Sequence, residues 1–227
     1  MRFSQIMKEN IMATNRFITL GQMRDITSDI LSSTGYPLQW KGSVEAVPIE
    51  DIIEIDYGLE WKWGDLNGIS EELVMAALYP GTREIILNQS CRELFNEKYG
   101  TMMFSLAHEF GHWILHAEDL EGLQLDLFEN YVFYCRSNRE KSRIEYQADL
   151  FAGCLLMPET IIVPMIQDLR NTKMEITWQR LYRIANDFQV SISALTTRLE
   201  QLKLLYIDSR KIIYRSREEA MGQQKLF

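Results

Sequence analysis

Apolar residues recur along the chain in two kinds of spacing, one that predicts helices and one that predicts short strands. Three short apolar runs predict strands at 59–63, 72–77 and 85–87. Helical spacing predicts helices at 4–33, from near Pro48, and from a Ser90-x-x-Glu93 capping box toward Tyr99. We therefore expect an α+β fold in which a small sheet lies beside several helices.

The most apolar of the helical segments runs from Gly100 to His116. More than half of its residues are hydrophobic, so this helix is expected to be buried. Two histidines and a glutamate interrupt it in the arrangement His108-Glu109-x-x-His112. Residues four apart on a helix lie about 40° apart around the axis and about 6 Å along it, so both imidazoles project toward one point.

A divalent metal ion is the simplest partner for these residues in an apolar helix. Burying an unpaired carboxylate is costly, whereas a cation satisfies two imidazoles and an acid together. In the H-E-x-x-H arrangement the histidines hold a metal, and the glutamate takes a proton from water instead of coordinating. The alternative is that His108, Glu109 and His112 are paired core residues without a metal, and the apolar setting favours the metal.

The histidine content limits the choice of a third ligand. The chain has three histidines, and the third, His116, lies eight residues after His108, about 12 Å along a straight helix. His108 and His116 therefore cannot both bind one ion through bonds of about 2.1 Å. We expect a downstream carboxylate, with a cysteine as the weaker option. The next polar segment offers the acids Glu118, Asp119, Glu121, Asp126, Glu129 and Glu140.

A better candidate lies on a second apolar helix, which Pro158 ends. Hydrophobic residues at helical spacing from Ile144 to Leu155 predict that this helix is also buried. Glu145 and Asp149 are four residues apart on one side of it. Glu145 could bind the metal while Asp149 accepts a hydrogen bond from a ligand imidazole and fixes its tautomer.

Composition and charge narrow the functional classes. The 46% apolar and 25% charged content is ordinary for a globular protein, and no signal peptide or membrane-spanning stretch is evident. The odd-numbered, well-separated cysteines Cys91, Cys135 and Cys154 fit a reducing compartment, so we expect a cytoplasmic protein. Residues 1–169 carry a net charge of −13 and residues 170–227 carry +5. A broad nucleic-acid surface is therefore not expected on the main body.

The basic C-terminal part contains two amphipathic helical stripes separated by a turn near Val190. The segments 204–207 and 211–214 that follow could form a β-hairpin wing. This arrangement would allow winged-helix DNA binding through residues such as Arg198, Lys203, Arg210 and Lys211. We favour the alternative that these helices pack against the main body or hold a protein substrate, so nucleic acid is the less expected partner.

Two motifs together resemble the ImmA/IrrE family of bacterial and phage zinc metallopeptidases. They are Phe104-Ser-Leu-Ala-His-Glu-Phe-Gly-His112 and Glu145-x-x-Ala-Asp-x-Phe-Ala-x-x-Leu-Leu-Met-Pro158. The strand that ends at Asn88 and the stretch 188–199 also fit the family's pattern, so the resemblance covers roughly 45–205. It implies a gluzincin-like peptidase with one Zn²⁺ per chain on His108, His112 and Glu145, and with Glu109 as the base. Asp149 stands where family members often have asparagine.

The resemblance also implies an architecture and a substrate class. We expect a mostly helical, zincin-like metallopeptidase domain with a small β-sheet at 37–165, an N-terminal helical segment at 1–36, and a helix-turn-helix-like segment with a β-hairpin at 166–227. Family members cleave or inactivate a helix-turn-helix repressor of a mobile element or stress response, so the expected partner is such a protein and not a membrane. An edge strand could bind the extended substrate, or the strands could simply cover the helix.

Some roles stay open at this point. Candidates for the donor that stabilises the tetrahedral transition state are His116, Tyr131, Tyr134 and Tyr146, although packing is the more common role for a tyrosine. Cys135 could cap the metal as an inhibitory thiolate, but a free cysteine is usually a small buried hydrophobe. The alternative function is a non-catalytic, metal-containing regulator or antitoxin-like partner that acts by binding protein or DNA.

Overall fold

The computed structural model describes residues 18–117, the backbone of 133–136, and residues 142–222. Its helices are α1 (Leu20–Ser33), α2 (Ile49–Asp51), α3 (Arg92–Glu97), α4 (Tyr99–His112), α5 (Arg143–Leu156), α6 (Glu159–Asn171), α7 (Trp178–Asp187), α8 (Ile192–Gln201) and α9 (Arg217–Ala220). Its strands are β1 (Glu60–Gly64), β2 (Val74–Tyr79), β3 (Glu84–Asn88), β4 (Phe133–Arg136), β5 (Tyr206–Ile207) and β6 (Ile213–Tyr214). The α+β class predicted from the sequence is confirmed.

The first four strands form one sheet in the order β1-β3-β2-β4. β1 pairs with β3 in parallel, and β2 runs antiparallel to both β3 and β4. Side chains alternate between the two faces of a strand. Ala76 and Leu78 of β2 therefore join the main core, while Ala77 joins a smaller cluster on the other face with Leu66. The sheet covers one side of the central helices.

The predicted strands are confirmed, with ends that differ from prediction by at most two residues. β4 was not predicted, because a run of only four residues within a polar stretch gives no periodic signal. The N-terminal helix is confirmed over α1, which begins with a capping box at Thr19, and residues 4–17 of that prediction lie outside the described residues. α2 begins next to Pro48 as expected and continues as a π-helical turn, Ile52–Asp56.

The helix predicted from Ser90 is present, but its predicted capping box is wrong. The chain enters α3 through a 3-10 turn, Gln89–Cys91, so the cap falls at the end of β3. The buried side chain of Asn88 accepts a hydrogen bond from the Ser90 N–H at 3.0 Å and donates one to the Val74 carbonyl oxygen at 2.7 Å. Asn88 thus fixes both the sheet edge and the start of the helix.

α4 and α5 pack against each other at the centre of the molecule. Every residue of α4 from Ser105 to His112 is buried. Their close approach depends on Gly111, because a Cβ there would lie 3.0 Å from a ring carbon of Phe151. α4 continues directly into a π-helical turn, Trp113–Ala117. The two apolar helices predicted from the sequence are therefore both buried, and they face each other.

α7 and α8 form the predicted helix-turn-helix, and β5 and β6 pair as the predicted hairpin. Arg198 of α8 points inward and is 1% exposed. Its Nε donates a hydrogen bond to the Met157 carbonyl oxygen at 3.3 Å, at the C-terminal end of α5. The positive charge lies where the helix dipole is negative. The suggestion that Arg198 contacts DNA is therefore wrong.

Buried side chains from all parts of the described chain join one hydrophobic cluster. It contains Met23 of α1, Phe110 of α4, Phe151 of α5, Leu181 of α7 and Leu199 of α8. The division into segments 1–36, 37–165 and 166–227 stays a prediction. Within the described ranges, no single helix has the length and apolar character needed to cross a membrane; the bent pair α5 and α6 meets those criteria only when the two are taken together.

The start of α4 lies against the turn between α7 and α8. A Cβ placed on Gly100 would lie 2.3 Å from the carbonyl carbon of Val190 and 2.7 Å from the nitrogen of Ser191. Both neighbours are backbone atoms, so the clash cannot be relieved by a side-chain rotation. This contact fixes the distance between the central helix and the C-terminal helices.

Gly100→Ala is expected to lower the free energy of unfolding by about 1–3 kcal/mol, the usual cost of overpacking. The loss should appear even though alanine is the better helix former by about 1 kcal/mol. Urea unfolding followed by circular dichroism measures it. Gly21→Ala in α1 is the matched control, because its Cβ would meet only Thr19 Oγ1 at 4.0 Å, and it should stabilise by about 0.4–1 kcal/mol. Equal changes in the free energy of unfolding for the two variants would contradict the close contact of Gly100 with the backbone of Val190 and Ser191.

Candidate metal centre

Three side chains from α4 and α5 bring ligand atoms to one point. The Nε2 atoms of His108 and His112 are 3.1 Å apart. Glu145 approaches both rings, with Oε2 at 3.2 Å from His108 Nε2 and Oε1 at 3.2 Å from His112 Nε2. Among the residues that the structure describes, these three form a group that could hold a metal ion.

The spacing of these atoms suits a metal ion. Ligands at about 2.1 Å around a tetrahedral ion are about 3.4 Å from each other, close to the observed 3.1–3.2 Å. Electron-pair donors that face each other this closely repel unless a proton or a cation lies among them. Both rings are at most 1% exposed, so water screens this repulsion poorly. A set of two histidines and one glutamate leaves the fourth position of zinc open, as in catalytic sites.

Asp149 orients one of the two imidazoles. Its Oδ1 lies 3.0 Å from Nδ1 of His108. A carboxylate accepts hydrogen bonds, so Nδ1 carries the ring proton and Nε2 keeps its lone pair toward His112 and Glu145. One turn of α5 separates Glu145 from Asp149, which lets the same helix supply both a ligand and the partner of a ligand.

The local electrostatics favour the protonation states that bind a metal. Burial alone would raise the pKa of Glu145, but the neighbouring imidazoles of His108 and His112 outweigh burial and hold that pKa well below its usual range. Burial lowers the pKa of His112 to about 4, although the nearby Glu145 carboxylate opposes the shift. At neutral pH the carboxylate is ionised and the His112 ring is neutral, and both then offer lone pairs to a cation.

Glu109 lies between the two histidines in sequence and is fully buried on α4. Among the described residues, Glu109 lies outside the group whose ligand atoms converge, which consists of His108, His112 and Glu145. A carboxylate next to a metal centre can accept a proton from water and pass it on. The structure thus gives the two glutamates different positions, one on each central helix.

His116 lies near the ligands without joining them. Its half-buried ring lies on the π-helical turn after α4, and its centroid is 5.5 Å from that of His112. Burial, followed by the neighbouring His112, lowers the pKa of His116 to about 3. The ring is therefore neutral at physiological pH.

The remaining predicted site residues lie on α5, on β4 or outside the described residues. Tyr146 lies on the first turn of α5 next to Glu145 and is 48% exposed. Tyr134 and Cys135 lie on β4, where only the backbone is described. Outside the described residues lie Tyr131, Glu118, Asp119, Glu121, Asp126, Glu129 and Glu140.

Sequence reasoning missed two features of the site. One is β4, which lies beside α4 and is an edge of the described sheet, with β2 as its partner. The other is the π-helical turn that carries His116. Neither has a sequence signal of its own, because a four-residue strand and one wide helical turn are both set by tertiary contacts.

Without metal, the protein is expected to lose stability as the pH falls from about 6.5 to about 4. The lowered pKa of His112 means that the folded chain binds fewer protons than the unfolded chain in this range, so the free energy of unfolding decreases toward acid. One proton accounts for about 1.4 kcal/mol per pH unit. Urea unfolding in a chelator measures the slope. In the His112→Gln variant the free energy of unfolding should depend less steeply on pH, and His116 should account for part of the slope that remains. An unchanged slope would show that His112 is not the titrating group.

Comparison with known proteins identifies a domain family that matches the part of the chain containing this site. Residues 96–200 match the model of the IrrE N-terminal-like domain, the M78 peptidase family. The match runs from the end of α3 into α8, and so includes both central helices and the three residues of the candidate metal centre. No curated protein matches the chain.

A solved structure of a Mycobacterium tuberculosis transcriptional regulator aligns with the chain at 12% identity and a TM-score of 0.48. The alignment covers 86% of this chain and 55% of that one, so this chain spans about half the length of the regulator. The family resemblance inferred from the two motifs is confirmed by the domain match. The chain therefore contains an IrrE N-terminal-like domain of the M78 peptidase family at residues 96–200.

Proposed function

We propose that this protein is a zinc-dependent endopeptidase that hydrolyses a peptide bond in a regulatory protein. The observation that supports it best is the convergence of His108, His112 and Glu145, whose ligand atoms lie 3.1–3.2 Å apart. Glu109 is buried on the same helix as the two histidines, where a proton acceptor is needed. The M78 peptidase family points in the same direction.

Each residue of the site would have a separate role in hydrolysis. A zinc ion on His108, His112 and Glu145 would acidify a water molecule and polarise the peptide carbonyl. Glu109 would accept a proton from the attacking water and return it to the amine nitrogen as the C–N bond breaks. Asp149, at 3.0 Å from His108 Nδ1, would keep that ring in the tautomer whose Nε2 can coordinate.

The sheet offers a place for the substrate backbone. β4 is an edge strand of the described sheet and lies beside α4, which carries the H-E-x-x-H residues. An extended peptide can pair with such an edge through its main-chain groups. Tyr146, a partly exposed residue, is a candidate donor to the tetrahedral transition state, as are Tyr131, Tyr134 and His116.

The proposed substrate is a helix-turn-helix repressor of a mobile element or stress response, and the proposed compartment is the cytoplasm. Both rest on the family. Action through DNA has less support, because the exposed positions of α8 are Ser193, Thr197 and Glu200, none of them basic. A recognition helix normally presents basic or amide side chains to the groove. We therefore propose that the chain acts by contacting a regulatory protein and not by contacting DNA.

Metal analysis of tag-free protein tests the ligand set. The wild type is expected to hold about one zinc ion per chain, and Glu145→Ala should lower the affinity by more than about 100-fold, because losing a direct ligand exceeds the 10–100-fold cost of losing an outer partner. Elemental analysis and competition with a chelator measure both quantities. Glu97→Ala, which removes an exposed carboxylate on α3, is the matched control and should change nothing. A wild type that cannot be loaded with metal would rule out the proposal.

Glu109→Gln separates catalysis from binding. The substitution keeps the size of the side chain and removes the proton acceptor, so cleavage should fall by about 10²–10⁴-fold while zinc content stays at the wild-type level. Wild type and variant are expressed in the host, and new protein N-termini are quantified by mass spectrometry. An N-terminus within a repressor should appear with the wild type alone.

The same pair of proteins tests the alternative function. A non-catalytic regulator or antitoxin-like partner would keep its effect on the repressor in the Glu109→Gln variant, with no new N-terminus in either sample. That outcome, together with normal zinc content, would leave the metal centre in place and remove the peptidase activity from the proposal.

A further inference from the structure

The candidate metal centre is closed by contacts that cross from α5 to α4. Glu145 of α5 lies 3.2 Å from the Nε2 atoms of both His108 and His112, which α4 carries. Asp149, one turn further along α5, lies 3.0 Å from His108 Nδ1. All three distances depend on how far apart the two helices lie. Whatever sets that separation therefore also sets the geometry of the site.

Gly111 lies between the two histidines, where α4 touches α5. A Cβ built on it would be 3.0 Å from Cδ1 of Phe151 and 3.2 Å from both Cβ and Cγ of the same residue. Carbon atoms in ordinary contact are about 3.5–4.0 Å apart. Gly111 follows His108 by three residues, and residues three apart are neighbours on one side of a helix. The position that lacks a side chain is therefore next to a candidate ligand.

Phe151 has no room to move away from Gly111. Its side chain is fully buried, and its ring packs edge-to-face on Phe110, with centroids 5.7 Å apart. Phe110 is held in turn by Tyr57, whose ring centroid is 4.8 Å away. One of the close atoms is the Cβ of Phe151, which no side-chain rotation can displace. A side chain at position 111 would therefore move one helix relative to the other.

We propose that Gly111 is a positioning residue, whose missing side chain sets the separation of α4 and α5 at which Glu145 reaches His108 and His112. The proposal deepens the proposed function and rests on it. Contacts of 3.0–3.2 Å are relieved by a shift of a few tenths of an ångström. Ligand distances in metal sites hold to within about 0.2 Å, so a shift of that size weakens the site. Gly111 acts through Phe151.

Zinc binding by tag-free protein tests this role. Gly111→Ala is expected to weaken zinc affinity by about 10–100-fold, the range for losing an outer partner of a ligand, and chelator competition measures the loss. The double variant Gly111→Ala/Phe151→Leu should recover most of the affinity, because leucine replaces the planar ring with a smaller side chain that leaves room for the new methyl group. If Gly111→Ala does not fold, the double variant decides alone, and it should bind zinc with nearly wild-type affinity.

Gly153→Ala is the matched control, since it adds the same methyl group to a buried glycine of the other central helix. The nearest atom to a Cβ there is Cδ of Arg198 at 3.9 Å, an ordinary contact distance. This variant should bind zinc as tightly as the wild type. It should also unfold at a higher urea concentration, because alanine is a better helix former than glycine, whereas Gly111→Ala should unfold at a lower one.

A second measurement needs no metal. The chain has three histidines, so the ring signals of nitrogen-labelled histidine in a nuclear magnetic resonance spectrum are few enough to assign. The Nδ1 proton of His108 is shared with Asp149 across 3.0 Å. In metal-free Gly111→Ala this proton should exchange with water faster than in metal-free wild type or Gly153→Ala, because moving the helices apart lengthens the hydrogen bond.

The outcomes separate this inference from the function on which it rests. A Gly111→Ala protein that is less stable but binds zinc as the wild type does would make the glycine a packing residue only, and would overturn the inference. Loss of affinity that Phe151→Leu does not restore overturns the route through Phe151. An equal loss in Gly153→Ala would also overturn it. A wild type that takes up no zinc would refute the proposed function, while the His108 proton still decides whether Gly111 sets the helix separation.

Discussion

The structure depends on holding three electron-pair donors together in a nearly dry interior. The two imidazoles and the carboxylate of Glu145 face each other at 3.1–3.2 Å, an arrangement that a cation among them would stabilise. The same buried, low-polarity surroundings lower the pKa of His112 and so keep its lone pair available. The surrounding fold can be understood as the support for this cluster.

That support acts mainly on α5, which carries both Glu145 and Asp149. Its side packs closely on α4 at Gly111 and Phe151. Its far end is held by Arg198, whose charge meets the carbonyl oxygen of Met157. A helix-turn-helix thus serves here as part of the protein core, and its arginine stabilises a helix end instead of meeting a phosphate. The central helices, the sheet and the C-terminal helices therefore share one hydrophobic core around the candidate metal centre.

Much of this could be predicted from the sequence, for a physical reason. Helical periodicity located the two apolar helices, and spacing by four placed His108 with His112 and Glu145 with Asp149 on common faces. Long-range placement could not be predicted in the same way. The direction of Arg198, the cap at Asn88 and the position of β4 depend on contacts between segments far apart in the chain. A local pattern contains no information about such partners.

The π-helical turn at Trp113–Ala117 makes this part of the chain sensitive to length as well as to composition. A wide turn accommodates about one residue more than an α-helical turn. Deleting one residue between His112 and His116 would remove the wide turn and let α4 continue as a regular helix. The third histidine would then lie three residues after His112 instead of four, turned by about 60° from it around the axis. A one-residue deletion, harmless in most surface loops, would here move the half-buried ring that packs beside His112.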